Sequence, residues 1–209
     1  MISLGIALAL LTAPARAAAD SGSGSPLVVY NRPGDSTAVA NLYDGNSYST
    51  LVSHYARNGS LVREDRHSDG YQETARSMAL DDSGGAYIAG IRYWQGGSYI
   101  WAMKYNPSGY QEWEWMDDQA GCVGAQIEIS AGESWIAGNC SASGDRSLRL
   151  VRLTARGYLN WARSFDGAGR SQVQNLSVDF GHRASLTTES GERIFTIVVD
   201  GQGRQLTTY

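Results

Sequence analysis

Two stretches of the chain say the same thing 48 residues apart, and this repeat limits the fold more than any other feature. Asp82-Ser83-Gly84-Gly85-Ala86-Tyr87-Ile88-Ala89-Gly90 is echoed by Ala131-Gly132-Glu133-Ser134-Trp135-Ile136-Ala137-Gly138. Met103 to Trp113 is echoed by Val151 to Trp161, each with a Gly-Tyr pair followed three residues later by Trp. Two glycine series extend the pattern to both ends: Gly34, Gly84, Gly132 and Gly181, interleaved with Gly59, Gly109, Gly157 and Gly203. Two interleaved series imply four units, roughly 26–74, 75–124, 125–173 and 174–209, with degraded copies at the ends as terminal repeats often are.

Each unit parses into four short strands. Strand A covers 26–30, 75–81, 125–130 and 174–178; strand B covers 37–42, 86–91, 134–139 and 184–188. Strand C covers 50–55, 99–105, 148–153 and 195–199; strand D covers 60–66, 110–116, 158–165 and 204–209. The A–B and C–D links are tight and carry glycine, as short hairpins with a positive φ require. Twenty-five glycines and few long 3.6-residue stripes agree with an all-β chain. Four strands in about 48 residues is the signature of a propeller blade. In units two and three, strand B offers an aromatic (Tyr87, Trp135) and then a small pair (Ala89-Gly90, Ala137-Gly138) that lets neighbouring sheets approach. The recurring Trp113 and Trp161 read as packing between blades.

The pattern Asp-x-x-Gly-x-x-Tyr-Ile-x-Gly, then hydrophobic-Lys-Tyr-Asn-x-x-Gly-x-x-x-Trp, resembles the bacterial β-propeller repeat of secreted and cell-surface proteins. Asp81 to Trp113 carries it, as does Ser130 to Trp161 with Ala131 and Arg152 replacing Asp and Lys. The resemblance implies a propeller in an extracytoplasmic setting and no particular reaction. Four units leave three assemblies open: a small closed ring, which is favoured, an open arc, or two chains completing one larger ring as a homo-oligomer.

The first residues support that setting. Ile2 to Leu11 is an apolar run too short to span a bilayer, followed by Ala15-Arg16-Ala17-Ala18-Ala19, so 1–19 reads as a signal peptide and 20–25 as a flexible linker. No other segment suits membrane insertion. The n-region lacks Lys and Arg, which leaves room for a start further upstream. Cleavage removes Arg16 and leaves 16 basic against 21 acidic residues, so nucleic acid is excluded as a partner for want of a basic stripe.

In an oxidising compartment the two cysteines would pair. Strands A and B of unit three form a hairpin about Ala131-Gly132, where opposite residues have numbers summing to about 263; Cys122 and Cys140 sum to 262 and face each other just past its open end, tying two loops.

No motif for a catalyst, a metal or a cofactor emerges. His54 and His67 fall in unit one and His182 in unit four, at unrelated repeat positions, and His54 aligns with Lys104 and Arg152 as a structural or solvated basic position. The B–C and D–A connections open on one side and read as the longer set (43–48, 67–72, 92–98, 117–124, 139–147, 166–172). Tyr71, Tyr93 and Trp94 offer flat surface there beside Asp69, Asp118, Asp166, Arg92 and Arg170. A rigid scaffold with exposed loops suits a non-catalytic binding protein for a protein or glycan partner; the alternative is a carbohydrate-active enzyme whose loop carboxylates meet across the ring.

Overall fold

The computed structural model describes residues 27–30, 35–43, 45–67, 70–141, 146–165, 172–190 and 193–208. The expected signal peptide and linker, together with Asp69, Asp166 and Arg170, lie outside the described residues. Everything described is strand or connection, with no helix. Sheet one holds β1 (Leu27–Tyr30), β2 (Ser36–Tyr43), β3 (Tyr48–Tyr55) and β4 (Leu61–His67). Sheet two holds β5 (Gln72–Leu80), β6 (Ala86–Trp94), β7 (Gly97–Tyr105) and β8 (Gln111–Ala120). Sheet three holds β9 (Cys122–Ser130), β10 (Glu133–Ser141), β11 (Arg146–Leu153) and β12 (Leu159–Phe165). Sheet four holds β13 (Gln172–Val178), β14 (Ala184–Ser190), β15 (Arg193–Val199) and β16 (Gln205–Thr208). Each is an antiparallel meander in sequence order, so the four expected units are the four sheets.

The register confirms the repeat independently of glycine. Strand D bulges against strand C beside the C–D turn in every unit, at Val62, Glu112, Asn160 and Leu206, and β8 carries a second irregularity between Met116 and Ala120. Strand A bulges against strand B in units two, three and four, around Arg76, Gly124 and Gln174. The small residue of strand B sits opposite that bulge. A Cβ on Gly90 would lie 2.1 Å from the Thr74 carbonyl of the same sheet, and one on Gly138 would meet Gly124 O at 2.6 Å and Ile100 Cδ1 of the next sheet at 2.8 Å. Close approach between sheets therefore explains Gly138, and the bulge within one sheet explains Gly90.

The turns are set by side chains as well as glycine. Asp81, Asn106, Asp179 and Asp200 each accept the N–H groups two and four residues on, closing a five-residue loop. The left-handed residue is Gly59, Gly84, Gly109, Gly157 or Gly203 in these hairpins. Unit four departs from the glycine series: its A–B turn places His182, not Gly181, at φ 56°. Asp179 fixes that register by holding the N–H groups of Gly181 and Arg183, and strand B begins at Ala184, 50 residues after Ser134.

The core consists of three seams between successive sheets. Seam one–two joins Val39 and Val52 to Ile88, Trp101, Met103 and Tyr105. Seam two–three joins Tyr87, Ile91, Ile100 and Ala102 to Ile127, Ile136, Val151 and Leu153. Seam three–four joins Trp135, Leu148 and Leu150 to Leu176, Leu186, Ile197 and Val199. Strands β1, β5, β9 and β13 pack side by side in that order, consistent with propeller blades meeting along their first strands. Among the described residues no comparable packing joins β13 back to β1.

The recurring Trp spans seams, as its position predicts. Trp113 donates Nε1–H to Ala155 O, and Trp161 donates to Gly201 O, each reaching the C–D turn of the next sheet. Their rings lie edge-on to Tyr87 and Trp135 at centroid distances of 5.8 and 5.5 Å. A Cβ on Gly157 would fall 2.6 Å from Trp113, so that turn needs glycine for space as well as for its φ of +79°.

Candidate functional site

The end where the B–C hairpins turn is flatter than the sequence suggests. Residues 92–98 are not a loop: β6 and β7 stay paired to Trp94↔Gly97, and only Gln95 and Gly96 turn, at φ 47° and 79°. Two left-handed residues make the primed turn that matches strand twist, which lets the ladder run to its limit. Tyr93 and Trp94 are thus strand residues. Likewise β8 runs to Ala120 and β9 starts at Cys122, so 117–124 is strand apart from Gly121.

At this end lie two aromatic pairs. Tyr43 and Tyr48 face each other across the β2–β3 ladder with centroids 4.7 Å apart, and both are exposed. Trp94 and Tyr99 form the second pair at 6.0 Å on the neighbouring sheet. Tyr93 stands exposed on the opposite face of the same strand end, 50 residues after Tyr43 at the equivalent position. Gln72 Nε2 donates to Asn46 O at 3.4 Å and ties the two sheets together here, while Tyr71 lies over the Arg92 guanidinium at 5.0 Å. The structure thus gathers Tyr71, Tyr93 and Trp94 at one edge of sheets one and two. Asp118 is not gathered with them: its side chain is 94% exposed and turns to Arg149 at 3.3 Å.

Arg92, expected among the exposed loop charges, is buried. It binds Glu73 and Glu114, and His67 bridges the same two carboxylates, with Nδ1 2.7 Å from Glu73 and Nε2 3.1 Å from Glu114. The four side chains come from β4, β5, β6 and β8, with His67 stacked on Trp101 at 6.3 Å. Burial alone would lower the His67 pKa, but its bonds to Glu114 and Glu73 outweigh that and raise it to about 10. Burial likewise works to raise Glu114, yet His67 and Arg92 hold it down at about 2. Two cations against two anions leave a neutral, closed cluster. Its carboxylates sit on opposite nitrogens of one imidazole and both meet Arg92 Nη2, so the point on which they converge is already filled by a cation. Among the described residues no group of three His, Cys, Asp or Glu could hold a metal ion.

The repeat carried a signal for this cluster that sequence reading missed. The Glu73↔Arg92 rung corresponds to the rung that carries the cysteines in unit three, Cys122↔Cys140. Those two cysteines are joined in a disulfide. It lies in the ladder itself, crosslinking β9 to β10, rather than tying two loops beyond the hairpin. Asn139 beside it is buried and accepts the Val173 N–H from the next sheet.

The basic position of strand C is structural. Lys104 lies over the Tyr87 ring at 5.0 Å and Arg152 over Trp135 at 4.9 Å. His54 shares Thr37 Oγ1 through Nδ1 at 3.0 Å, and burial, followed by the charge of Arg63, lowers its pKa. Thr37 is wholly buried, so this pair cannot present a hydroxyl nucleophile to a substrate.

Comparison with known protein families finds no matching model, and comparison with curated proteins finds no match. No helix among the described residues is long and apolar enough to cross a membrane.

Proposed function

We propose that this chain is a non-catalytic binding protein of the propeller-like class that engages a protein or glycan partner through the B–C hairpin end of sheets one and two. The observation that carries this reading is the concentration there of paired aromatics, Tyr43 with Tyr48, both exposed, and Trp94 with Tyr99, both half-buried, on strands held rigid to their last rung. Rigid aromatic anchors give binding energy at little entropic cost. The buried carboxylates that a hydrolase would need are instead neutralised by Arg92 and His67. The opposite end also exposes tyrosines, but singly: Tyr110 is covered by Arg63 at 4.4 Å, and Tyr158 stands alone in its turn.

An extracytoplasmic setting fits the disulfide and the N-terminal apolar run. As for closure, the faces that sheets four and one would bring together differ from the three apolar seams. Sheet four turns Ser185, Thr187, Ile194, Thr196 and Val198 outward, and sheet one turns Ala38, Ala40, Leu42, Ser49, Leu51 and Ser53. A fourth seam made of these groups mixes small, polar and aliphatic side chains and is less apolar than the other three.

The test is selection of ligands from a glycan array and from a displayed peptide library. Retention should drop about tenfold or more in a Tyr93→Ala/Trp94→Ala variant, as expected for loss of anchor residues, and persist in Tyr110→Ala/Tyr158→Ala. The reverse pattern, or equal loss in both, refutes the reading.

A further inference from the structure

We infer that the partner held at this edge is an uncharged carbohydrate chain, stacked on the aromatic pairs of two adjacent sheets. The inference rests on the binding reading above and narrows it by three features of the same edge.

The exposed large hydrophobics on these hairpin ends are Tyr43, Tyr48 and Tyr93, all aromatic and all carrying a hydroxyl. Exposed aliphatic residues are elsewhere: Leu61 and Val62 on β4, Val123 on β9, Leu159 on β12, Ile194 on β15 and Leu206 on β16. A docking protein segment would call for an apolar core with aliphatic neighbours around its anchors. Flat rings without aliphatics on their own hairpins fit instead the C–H face of a pyranose, with the exposed Gln95 amide to address the sugar's equatorial groups, while Tyr43 Oη already donates to Gly45 O and Gln72 Nε2 to Asn46 O.

Charge points the same way. The nearest cation, Arg92, is 7% exposed and has its guanidinium committed to Glu73 and Glu114, beneath Tyr71. The polar side chains at the surface include the amides of Asn46, Gln72 and Gln95, all exposed. Among the described residues an anionic polymer meets no free positive charge on the faces that bear the aromatic pairs, since exposed Arg66 lies on the other face of sheet one and donates to Ser49, and a cationic one meets no free carboxylate among the described residues of the two hairpin ends.

Position supplies the third feature. Tyr43 and Tyr93 are repeat equivalents, and the third unit has Ser141 at that place. The equivalent rung of sheet two is Tyr93↔Ser98, so the second platform is a different pair: Tyr43 with Tyr48 and Trp94 with Tyr99 stand on the faces that sheets one and two turn to their shared seam. A ligand that is itself a repeating chain can occupy two such platforms at once, which a monosaccharide cannot.

The inference is tested by titrating the intact protein with cellohexaose, xylohexaose and mannohexaose as neutral probes, trigalacturonate as an anionic probe, and decaproline as a peptide probe. Tryptophan fluorescence and calorimetry report binding. The expected result is binding of at least one neutral hexasaccharide, weakened about tenfold or more by Tyr43→Ala and separately by Trp94→Ala, and unchanged by Tyr158→Ala. The corresponding monosaccharide should bind at least about tenfold more weakly than the hexamer. Tyr93→Ala, with its melting temperature checked, replaces either variant that fails to fold. Binding of trigalacturonate or decaproline alone, lost in the same variants, overturns the neutral-glycan inference and leaves the binding edge standing. No binding of any probe, or binding indifferent to Tyr43, Tyr93 and Trp94, overturns the inference and the edge together.

Discussion

Seams one–two and three–four occupy the same rungs of the repeat and are built from opposite chemistry. The repeat spacing places His67, Asp117 and Phe165 at equivalent positions near the end of strand D, each buried, with Asp117 inside the irregularity between Met116 and Ala120. In seam one–two, His67 stacks on Trp101 and joins Glu73, Arg92 and Glu114. In seam two–three, Asp117 takes both arms of the Arg149 guanidinium at 2.8 Å. In seam three–four, Phe165 sits in an apolar cluster with Leu148 and Ile197. The backbone frame asks only that this position be filled and its polar atoms satisfied. Tolerance of that kind is how a repeat can diverge while its strands stay in register.

The two materials fail differently. Glu73→Gln preserves shape but leaves His67 and Arg92 facing one carboxylate, and should cost about 3–5 kcal/mol of unfolding free energy. Phe165→Ala at the matching seam should cost about 3 kcal/mol by cavity formation. Denaturant unfolding measures both, and a Glu73→Gln loss under about 1 kcal/mol would show that the cluster is solvated rather than sealed.

A smaller contrast separates the turns beneath the seams. Gly109 and Gly157 share a φ near +80°, but a Cβ on Gly109 meets the His54 ring and the movable Arg63 side chain, whereas on Gly157 it strikes Trp113. Trp113 is held by its bond to Ala155 and cannot yield. Both alanine variants carry left-handed strain of about 1 kcal/mol, and Gly157→Ala should exceed Gly109→Ala by roughly a further 1 kcal/mol in the same assay.

Much of this frame was legible because it depends on local chemistry. Glycine spacing located all four sheets, the residue-number sum paired Cys122 with Cys140, and the recurring Trp marked the seams. The B–C ends were misjudged because Arg92 to Ser98 looks like a polar loop, although Gln95-Gly96 between Tyr-Trp and Gly-Ser-Tyr is itself a two-residue hairpin signal. Gly181 was a false register mark, since Asp179 sets that turn and puts His182 at the left-handed position. The charged cluster escaped notice because its members come from four strands and hold repeat positions occupied elsewhere by apolar residues or cysteine. The signals for it were the alignment of His67 with Asp117 and Phe165 and of the Glu73–Arg92 pair with Cys122–Cys140.

The most direct test of the sealed, charge-filled seam is thermal unfolding of the wild type and of His67→Phe, the residue unit three uses, from pH 4 to 10. His67 is raised from 6.5 to about 10 in the folded state, so its contribution is complete below pH 6.5 and is lost as pH rises towards 10. Glu114 is lowered from 4.5 to about 2, so its contribution is complete above pH 4.5 and is lost on acidification towards 2. His54 is common to both proteins, so its titration drops out of their difference. The wild type should lose melting temperature steadily between pH 6.5 and 10 while His67→Phe shows no such alkaline decline. Superposable curves over that range would contradict a protonated His67 clamped between Glu73 and Glu114.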